Sequence, residues 1–548
     1  MRRWLLALLL AAFVPTLVSA ASAPFHLKLG GPAPKVTTEK ELRAFLDELE
    51  AQQFMIYEAL SLEAYYQWKG DEPQFTTPYT RFANDLSSRA DYAAIVEKWR
   101  GQVHDSTLAR RLELEHLTFL QSRANPALVL QLGDTQSQLQ DTVSAFRFQL
   151  DGQAKTGTEI TEILTNEKDR AKRQNAYMAL QQADTKYRKS VSSAMHLYDR
   201  IGKGEGFKNG ADAGLVQTSL ERAQVLKDLE SFESQTRPIM QSIVERAQAD
   251  LKVDKLAPWD LDYWLRQQEL GGGDDAWPRE PGLERMKGLM KDIGFQPDSL
   301  PIDARIWDVP TGGITFPIRP PYESRLLSNP FTGSQFYSTL FHEYGHCLNA
   351  VLTNKDLPAV FLTGDQTPMS EGLAECLGFF AYDHQWLERA AKVPPSRSMA
   401  LERAGKMGQF VWLRRSICLN AWFEITAYGN LNVNMDSLYA VAYKRFTLID
   451  LPAGHFWGYR DMLATGPIYY QSYLYADLIA AQLRESMEQQ FGVKDLSKEP
   501  RVAGWLTRYF FAPGGSVPWP EKVRRATGKP LGTEALARYF ADLTPGKS

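Results

Sequence analysis

Two histidines and a glutamate form the pattern His-Glu-x-x-His in the second half of the chain. The segment reads HEYGH and contains His342, Glu343 and His346. On a helix, residues four apart share one face, so the two imidazoles can bind one cation. Glu343 lies about 100° further round the helix, where its carboxylate can reach a water molecule on that cation without binding the cation itself. The pattern therefore predicts a hydrolytic metal site with an adjacent general base.

The surrounding sequence predicts the helix that this pattern requires. Thr332 and Gln335 have the spacing of a capping box, which indicates a helix that begins just after Thr332. Apolar residues then recur every three or four positions, as expected for a helix that packs on one side. These residues are Phe336, Leu340, Tyr344, Leu348 and Val351.

A third ligand is needed, because two histidines alone do not hold a catalytic zinc ion. The segment TPMSEGLAECLGFF at residues 367–380 predicts a second helix, with Thr367 as its N-cap. Glu371 and Glu375 lie one turn apart on the side opposite the apolar residues of this helix. Both glutamates could instead line a solvated face.

Packing of the two predicted helices against each other would bring Glu371 to the histidines. His342, His346 and Glu371 would then bind one Zn²⁺ ion per chain and leave a fourth position open for water, as in catalytic zinc sites. Glu375 would accept the other ring N–H of a ligating histidine and fix its tautomer.

The rest of the chain predicts a mainly α-helical fold with a small β element. A capping box at Thr38 and Glu41 opens a first helix, and a long amphipathic helix ends near Gly202. The turn-rich segment at residues 269–282 breaks the helical pattern. The segment RIWDVPTGGITFPI, residues 305–318, has the strongest strand signal and predicts a short hairpin.

Composition restricts the class of partner. The chain has 548 residues, of which 44% are hydrophobic and 23% charged, with a formal net charge of −3. No basic surface for a nucleic acid is indicated, so we expect no nucleic-acid partner. Three cysteines are too few for a disulfide framework, and their apolar contexts predict buried free thiols. They are Cys347, Cys376 and Cys418.

The first twenty residues have the pattern of a secretory signal peptide. Arg2 and Arg3 precede an apolar run, and the small residues Val18-Ser19-Ala20 follow it. The alternative is a membrane anchor, but the run is short for a span and Pro15 interrupts it. We therefore expect export to the periplasm or the exterior, a mature chain that starts near Ala21, and no membrane span in it.

HEYGH followed by SEGLAE, with Glu371 twenty-five residues after His346, resembles two related families of zinc peptidases. They are the thimet oligopeptidase or oligoendopeptidase family and the angiotensin-converting enzyme (peptidyl-dipeptidase) family. Other segments between about residues 165 and 540 are also similar to the oligopeptidase group. They read RQNAYMALQQADTKYRKSVSSAMHLYDRIGKGEGFKN, APWDLDYW, GPIYYQSYLYADL and FFAPGGSVPWPEKVRRATGKPLGTEALARYF.

The resemblance implies a zincin-like helical peptidase with two lobes around a deep substrate channel. The N-terminal helical lobe would span about residues 21–270 and the catalytic region about residues 283–548. It also implies that tyrosines of GPIYYQSYLY help to stabilise the oxyanion, and alignment gives Tyr470 and Tyr473 this role. Both families carry a histidine a few residues before these tyrosines, whereas this chain has none in GYRDMLATG, residues 458–466. The nearest histidine is His455, too far upstream to align.

The sequence thus predicts zinc-dependent hydrolysis of peptide bonds in short oligopeptides, with Glu343 as the base that activates the zinc-bound water. A dipeptidyl carboxypeptidase that recognises a free C-terminus is the alternative within the same class. A catalytically weak peptide-binding protein on a peptidase scaffold is the alternative outside it, suggested by the missing histidine. The oligomeric state is left open.

Overall fold

The computed structural model describes residues 31–269, 273–309, 311–362 and 366–544. The predicted signal peptide, residues 1–20, lies outside the described residues. Among the helices described, none is both long enough and apolar enough to cross a bilayer.

Helices make up most of the described chain, and the predicted mainly α-helical fold is confirmed. In chain order, the α-helices are α1 Glu39–Trp68, α2 Thr76–Ser87, α3 Ala90–Trp99, α4 Ser106–Phe119, α5 Pro126–Ala145, α6 Gly157–Asn166, α7 Arg170–Gly204, α8 Gly210–Val216, α9 Arg222–Leu251, α10 Pro258–Glu269, α11 Gly282–Asp292, α12 Ser334–Val351, α13 Thr367–Gly378, α14 His384–Ala390, α15 Pro395–Trp412, α16 Leu419–Ala427, α17 Met435–Thr447, α18 Met462–Thr465, α19 Tyr470–Phe491, α20 Arg501–Leu506, α21 Trp519–Thr527 and α22 Glu534–Tyr539. A π-helical segment, Leu413–Cys418, joins α15 to α16, and another, Thr507–Phe511, follows α20.

Helix starts follow the sequence at some positions and not at others. The capping box at the start of α1 is confirmed, because the Thr38 side chain accepts from the Glu41 backbone and the Glu41 side chain accepts from the Thr38 backbone. The capping box predicted at Thr332 is wrong. Helix α12 begins two residues later, after Gly333 with φ 80°, and no side chain caps it. A backbone turn that favours glycine therefore sets this start. Helix α13 begins at Thr367 itself, one residue earlier than predicted.

The β structure differs from the predicted hairpin. Strands β1 Phe148–Leu150 and β2 Gln153–Lys155 form a small antiparallel pair that the sequence reading missed. Strands β3 Ile302–Ile306, β4 Gly313–Arg319 and β5 Glu323–Ser328 form a second sheet in the order β3-β5-β4. β3 and β4 do not pair with each other, because β5 lies between them, parallel to β3 and antiparallel to β4. The segment at residues 305–318 thus contains the end of β3 and most of β4, the two outer strands of this sheet, and β4 is an edge strand.

The hydrophobic cores do not follow the predicted lobe boundary. The largest core runs from Ala124 to Leu543 and includes residues on both sides of residues 270–283. A separate core lies within the segment from Val36 to Phe119 and unites α1 to α4. The division into lobes at residues 21–270 and 283–548 stays a prediction. The three cysteines are buried and free, as expected.

We expect Thr38→Ala to weaken the start of α1, because the helix would lose the acceptor of its capping box. The local opening free energy should fall by about 1 kcal/mol, which corresponds to about five-fold faster amide exchange. Hydrogen exchange with mass spectrometry over residues 38–45 measures this. Thr142→Ala in α5 is the control, because that exposed hydroxyl only bonds back to the Gln138 carbonyl. Equal exchange in wild type and Thr38→Ala would contradict the capping assignment.

Candidate metal centre

Helices α12 and α13 pack closely and run in opposite directions. His342, in the middle of α12, contacts Glu375 late in α13, and His346, one turn later in α12, contacts Ser370 near the start of α13. Gly345 permits the close approach, because a Cβ atom there would lie 2.8 Å from the Cα atom of Ala374. Two polar helix faces are thereby brought into the protein interior opposite each other.

Three predicted ligands converge between these helices. The Nε2 atoms of His342 and His346 are 3.1 Å apart. The Oε2 atom of Glu371 lies 3.4 Å from the first and 3.8 Å from the second. Among the residues that the structure describes, this is the one group of three or more histidine, cysteine or acidic side chains close enough to hold a metal ion.

The spacing and chemistry of these donors fit a tetrahedral cation. Ligands 2.0–2.1 Å from a tetrahedral zinc ion are about 3.3 Å apart, close to the distances between these three atoms. Burial disfavours a charged imidazole, yet Glu375 and Glu371 outweigh it and hold the pKa of His342 well above its usual value. The cluster therefore favours a positive charge at its centre. Two imidazoles and one carboxylate are a donor set suited to zinc.

The second nitrogen of each imidazole has its own partner. His342 Nδ1 lies 3.2 Å from Glu375 Oε1, and His346 Nδ1 lies 3.2 Å from Ser370 Oγ. When Nδ1–H donates to these oxygens, the lone pair of each Nε2 is free to face the centre of the cluster. The structure thus has Glu375 at the contact predicted for it, and Ser370 at a matching contact that the sequence reading missed.

Glu343 is buried beside the cluster and is held by strand β4. The Thr315 hydroxyl lies 2.8 Å from Glu343 Oε2 and 2.8 Å from the Glu343 backbone oxygen. β4 can approach this closely because residue 313 is glycine, and a Cβ atom there would lie 2.8 Å from Glu343 Cγ. One oxygen of the carboxylate is therefore fixed by a neutral donor.

Tyr473 lies within electrostatic range of Glu371 and Glu375, whereas other charged groups act on Tyr470. Burial, with the charges of Glu371 and Glu375 nearby, raises the pKa of Tyr473 to about 12. Burial and the charge of Glu371 also raise the pKa of Tyr469, whose ring packs 5.4 Å from that of Tyr473. Tyr470 is buried, and the charged groups that act on it are Arg460, Glu424 and Asp461.

The position predicted for Tyr470 therefore needs correction. Tyr469 and Tyr473 are four residues apart and meet on one side, while Tyr470 is rotated away by about 100°. Alignment with the resembling families selected Tyr470 and Tyr473, whose three-residue spacing also permits a shared helix face. Tyr469 precedes the first residue of α19, a helix start that the sequence reading did not define. Tyr469 thus replaces Tyr470 as the second phenol near Glu371.

An arginine occupies the segment that lacks the expected histidine. Arg460 Nε lies 3.2 Å from the Tyr439 hydroxyl, and its guanidinium lies 4.4 Å from the centre of the Tyr459 ring. Within the described ranges, no carboxylate forms an ion pair with it. Arg415, close enough to repel it, is paired with Asp262 at 2.7 Å. The Arg460 guanidinium thus acts electrostatically on Tyr470 and on the neighbouring Asp461, and forms no salt bridge within the described residues.

His455 does not take the place of the missing histidine. Its side chain is exposed and pairs with Asp436 at 2.9 Å. None of the groups that act on Tyr469 or Tyr473 is His455.

Comparison with protein families supports the resemblance seen in the sequence. Residues 163–273 match the model of Peptidase family M3. This segment includes α7 and α10 and ends before α12, so it does not contain the cluster itself. No curated protein sequence gives a significant match.

Comparison with solved structures defines the fold. A carboxypeptidase from Pyrococcus furiosus, described as Apo-Mg, superposes with a TM-score of 0.62 at 13% identity, over 92% of this chain and 98% of that chain. An M32 carboxypeptidase from Deinococcus radiodurans R1 gives 0.60 at 15% identity, over 92% of this chain and 99% of that chain. The zincin-like helical fold and the resemblance to zinc metallopeptidases of the M3 type are confirmed. The matches support a metallopeptidase.

Three contacts at the site escaped the sequence reading for different reasons. Ser370 directly precedes the predicted ligand Glu371 in the chain, so its proximity to the site could have been expected from the sequence. The contact of Tyr469 with Tyr473 depends on where α19 begins, and the sequence did not define that start. Thr315 belongs to the segment with strand signals, but its contact with Glu343 arises from tertiary packing and leaves no pattern in the sequence.

We expect the wild-type chain to bind one zinc ion and Glu371→Ala to lose it, because two imidazoles alone bind zinc weakly. Plasma mass spectrometry after dialysis against a weak chelator gives the metal content. Glu162→Ala, on the exposed face of α6, is the control and should keep its zinc. Full zinc occupancy in Glu371→Ala would show that Glu371 is not a ligand.

Ser370→Ala and Glu375→Gln should each weaken zinc binding by about 10- to 100-fold, because residues that orient ligating histidines contribute on this scale. Competition with a chromophoric chelator measures the affinity. The double variant should lose more than either single variant, since the two contacts orient different histidines. An unchanged affinity in both single variants would contradict the assigned contacts.

Proposed function

We propose, on the premise that the chain is a metallopeptidase related to Peptidase family M3, that it hydrolyses peptide bonds in short oligopeptides with one zinc ion. The observation that carries this proposal is the convergence of His342, His346 and Glu371 beside the buried carboxylate of Glu343. A structural zinc site would have four protein ligands, whereas three ligands leave room for water.

The chain's own residues supply the proton chemistry. A zinc ion in such a site acidifies water to a pKa of about 7 and polarises a carbonyl group. Glu343 accepts the proton of the attacking water and later delivers it to the leaving amine. Thr315, which donates to one oxygen of Glu343, leaves the other oxygen for this proton and keeps the carboxylate oriented.

The phenols of Tyr469 and Tyr473 are suited to donate to the oxyanion that forms from the scissile carbonyl. Both have a pKa above the ordinary value for tyrosine, so both stay protonated at neutral pH. Donors held in place before the reaction stabilise a developing charge without reorganisation. Sequence alignment favoured Tyr470 for this role, and the geometry favours Tyr469 with Tyr473.

Short peptides are the substrates that the site's exposure favours. The side chains of His342 and Glu371 keep 17% and 19% of their surface exposed, so solvent reaches them while protein surrounds them. A folded protein cannot bring a peptide bond into such a site. Export through the predicted signal peptide belongs to the same proposal, and the substrates would then be peptides of the periplasm or the exterior.

Release of residues from a free C-terminus is the second candidate. Both structural neighbours are carboxypeptidases, and the Arg460 guanidinium donates to the Tyr439 hydroxyl and forms no salt bridge among the residues described. Tyr470 adjoins Arg460 and lies one turn before Tyr473, so the first turn of α19 connects this charge to the cluster. A guanidinium binds a carboxylate with two parallel hydrogen bonds, which suits the terminus of a peptide.

Glu343→Gln should keep zinc and lower kcat by at least about 100-fold, because glutamine cannot accept the proton. A library of quenched fluorescent peptides, assayed with and without chelator, measures turnover, and metal analysis confirms the zinc. Glu162→Gln is the control for the loss of one negative charge. Turnover at the wild-type rate in Glu343→Gln would remove Glu343 as the base.

Arg460→Gln should lower kcat/KM for peptides with a free C-terminus by about 10- to 100-fold, the scale of a charge-assisted hydrogen bond. The same peptides with an amidated C-terminus should be poor substrates for wild type and be affected little by the variant. Arg525→Gln, in the exposed end of α21, is the control. Equal cleavage of free and amidated peptides by wild type would contradict the second candidate and favour endopeptidase action.

A further inference from the structure

Ile468 has a backbone conformation that its side chain disfavours. Its φ angle is 55°, in the left-handed region. A β-branched residue rarely adopts this region, because its side chain crowds the backbone. Such a conformation persists only where the surrounding structure holds it, and residues held in this way are common at functional sites.

Two buried side chains hold both backbone polar groups of Ile468. Its N–H donates to Glu424 Oε1 at 2.9 Å, and its carbonyl oxygen accepts from Gln471 Nε2 at 2.6 Å. Its side chain packs against Gly214 of α8, where an added Cβ atom would lie 2.9 Å from Ile468 Cβ. Contacts from α8, α16 and α19 therefore act on one residue.

Glu424 is an unusual residue to bury for packing alone. It is fully buried in α16, and its second carboxylate oxygen has no hydrogen-bond partner in the described part of the chain. Burial raises its pKa to about 8. Burial of a carboxyl group with a single hydrogen-bond partner lowers the free energy of unfolding. The contact of Glu424 with Ile468 therefore indicates a role other than packing.

The conformation of Ile468 sets the direction of Tyr469. Tyr469 is the next residue, and α19 begins directly after it. A flip of Ile468 to a relaxed backbone would redirect the chain at this point and separate the Tyr469 ring from Tyr473 and Glu371. Ile468 is thus one residue away from Tyr469 along the chain, although Glu424 itself contacts none of the three ligands.

We propose that Glu424 and Gln471 are positioning residues, which hold Ile468 in the left-handed conformation so that Tyr469 and Tyr473 face the metal cluster. This inference rests on the proposed function, in which these phenols stabilise the transition state of peptide hydrolysis. Glu424 and Gln471 act through Ile468 and touch neither the substrate nor the ligands of the metal.

The test combines variants at Glu424 with a glycine at residue 468. Glu424→Leu should lower kcat by about 10-fold or more and leave KM within about two-fold, because a displaced donor acts mainly on the transition state. Glu424→Gln keeps an acceptor for the Ile468 N–H and should retain most of the activity. Ile468→Gly should restore activity to Glu424→Leu, because glycine adopts the left-handed region without strain.

The matched control is Leu448→Gly in the Glu424→Leu background. Leu448 has φ 59° at the end of α17. Its replacement by glycine relieves a similar backbone strain far from Ile468 in the chain and should therefore not restore activity. Gln471→Met replaces Glu424→Leu if the latter fails to fold, with the same expected rescue by Ile468→Gly. Unchanged kcat in the folded variant, or a loss that Ile468→Gly does not reverse, would overturn the proposal.

Hydrogen exchange separates this proposal from the proposed function. The peptide covering residues 466–474 should exchange faster in Glu424→Leu and return toward the wild-type rate with Ile468→Gly. If the wild-type enzyme cleaves no peptide, the proposed function fails. The exchange pattern then still tests whether Glu424 and Gln471 hold Ile468 in the left-handed conformation. Equal exchange in wild type and Glu424→Leu would overturn the positioning role of Glu424 even if peptide hydrolysis is observed.

Discussion

The close approach of α12 and α13 is the constraint on which the rest of the site depends. Two imidazole nitrogens 3.1 Å apart, with a carboxylate beside them, are unfavourable unless a positive charge lies among them. The helices can pack in this way because Gly345 permits a close approach of their backbones. In addition, Glu375 and Ser370 each contact the Nδ1 atom of one histidine. A metal ion then contributes to the stability of the helix pair as well as to its chemistry, since binding to the folded form alone favours that form.

Elements on either side of the helix pair carry the remaining groups. Strand β4 lies against α12 and brings Thr315 to Glu343, while α19 packs against α13 and brings Tyr473 to the charge of Glu371. The edge position of β4 leaves one side of its backbone without a neighbouring strand in the described sheet. An extended peptide can add to such an edge by main-chain hydrogen bonds, which would align it beside Glu343.

Local patterns in the sequence predicted much of this arrangement, and tertiary contacts account for what they missed. The capping box at Thr38, the long helix predicted to end near Gly202 and observed to end at Gly204, and the four-residue spacing of the histidines depend on neighbours in the chain, so the sequence contains them. The insertion of β5 between β3 and β4 depends on pairing between distant segments. The orientation of Tyr469 depends on one backbone angle at Ile468, and the phase of a helix changes by about 100° when its start moves by one residue.

The loss of a histidine before the tyrosines changes which groups can titrate at the site. A histidine would change its charge between pH 5 and 8 and would make donation to an oxyanion depend on pH. Arg460 keeps its charge over that range, and the pKa of Tyr473 is about 12, so neither group changes protonation near neutrality. A site of this composition has donors of fixed protonation where the related families have a histidine. With a metal ion bound, protons would compete with that ion for the same nitrogen lone pairs at acid pH.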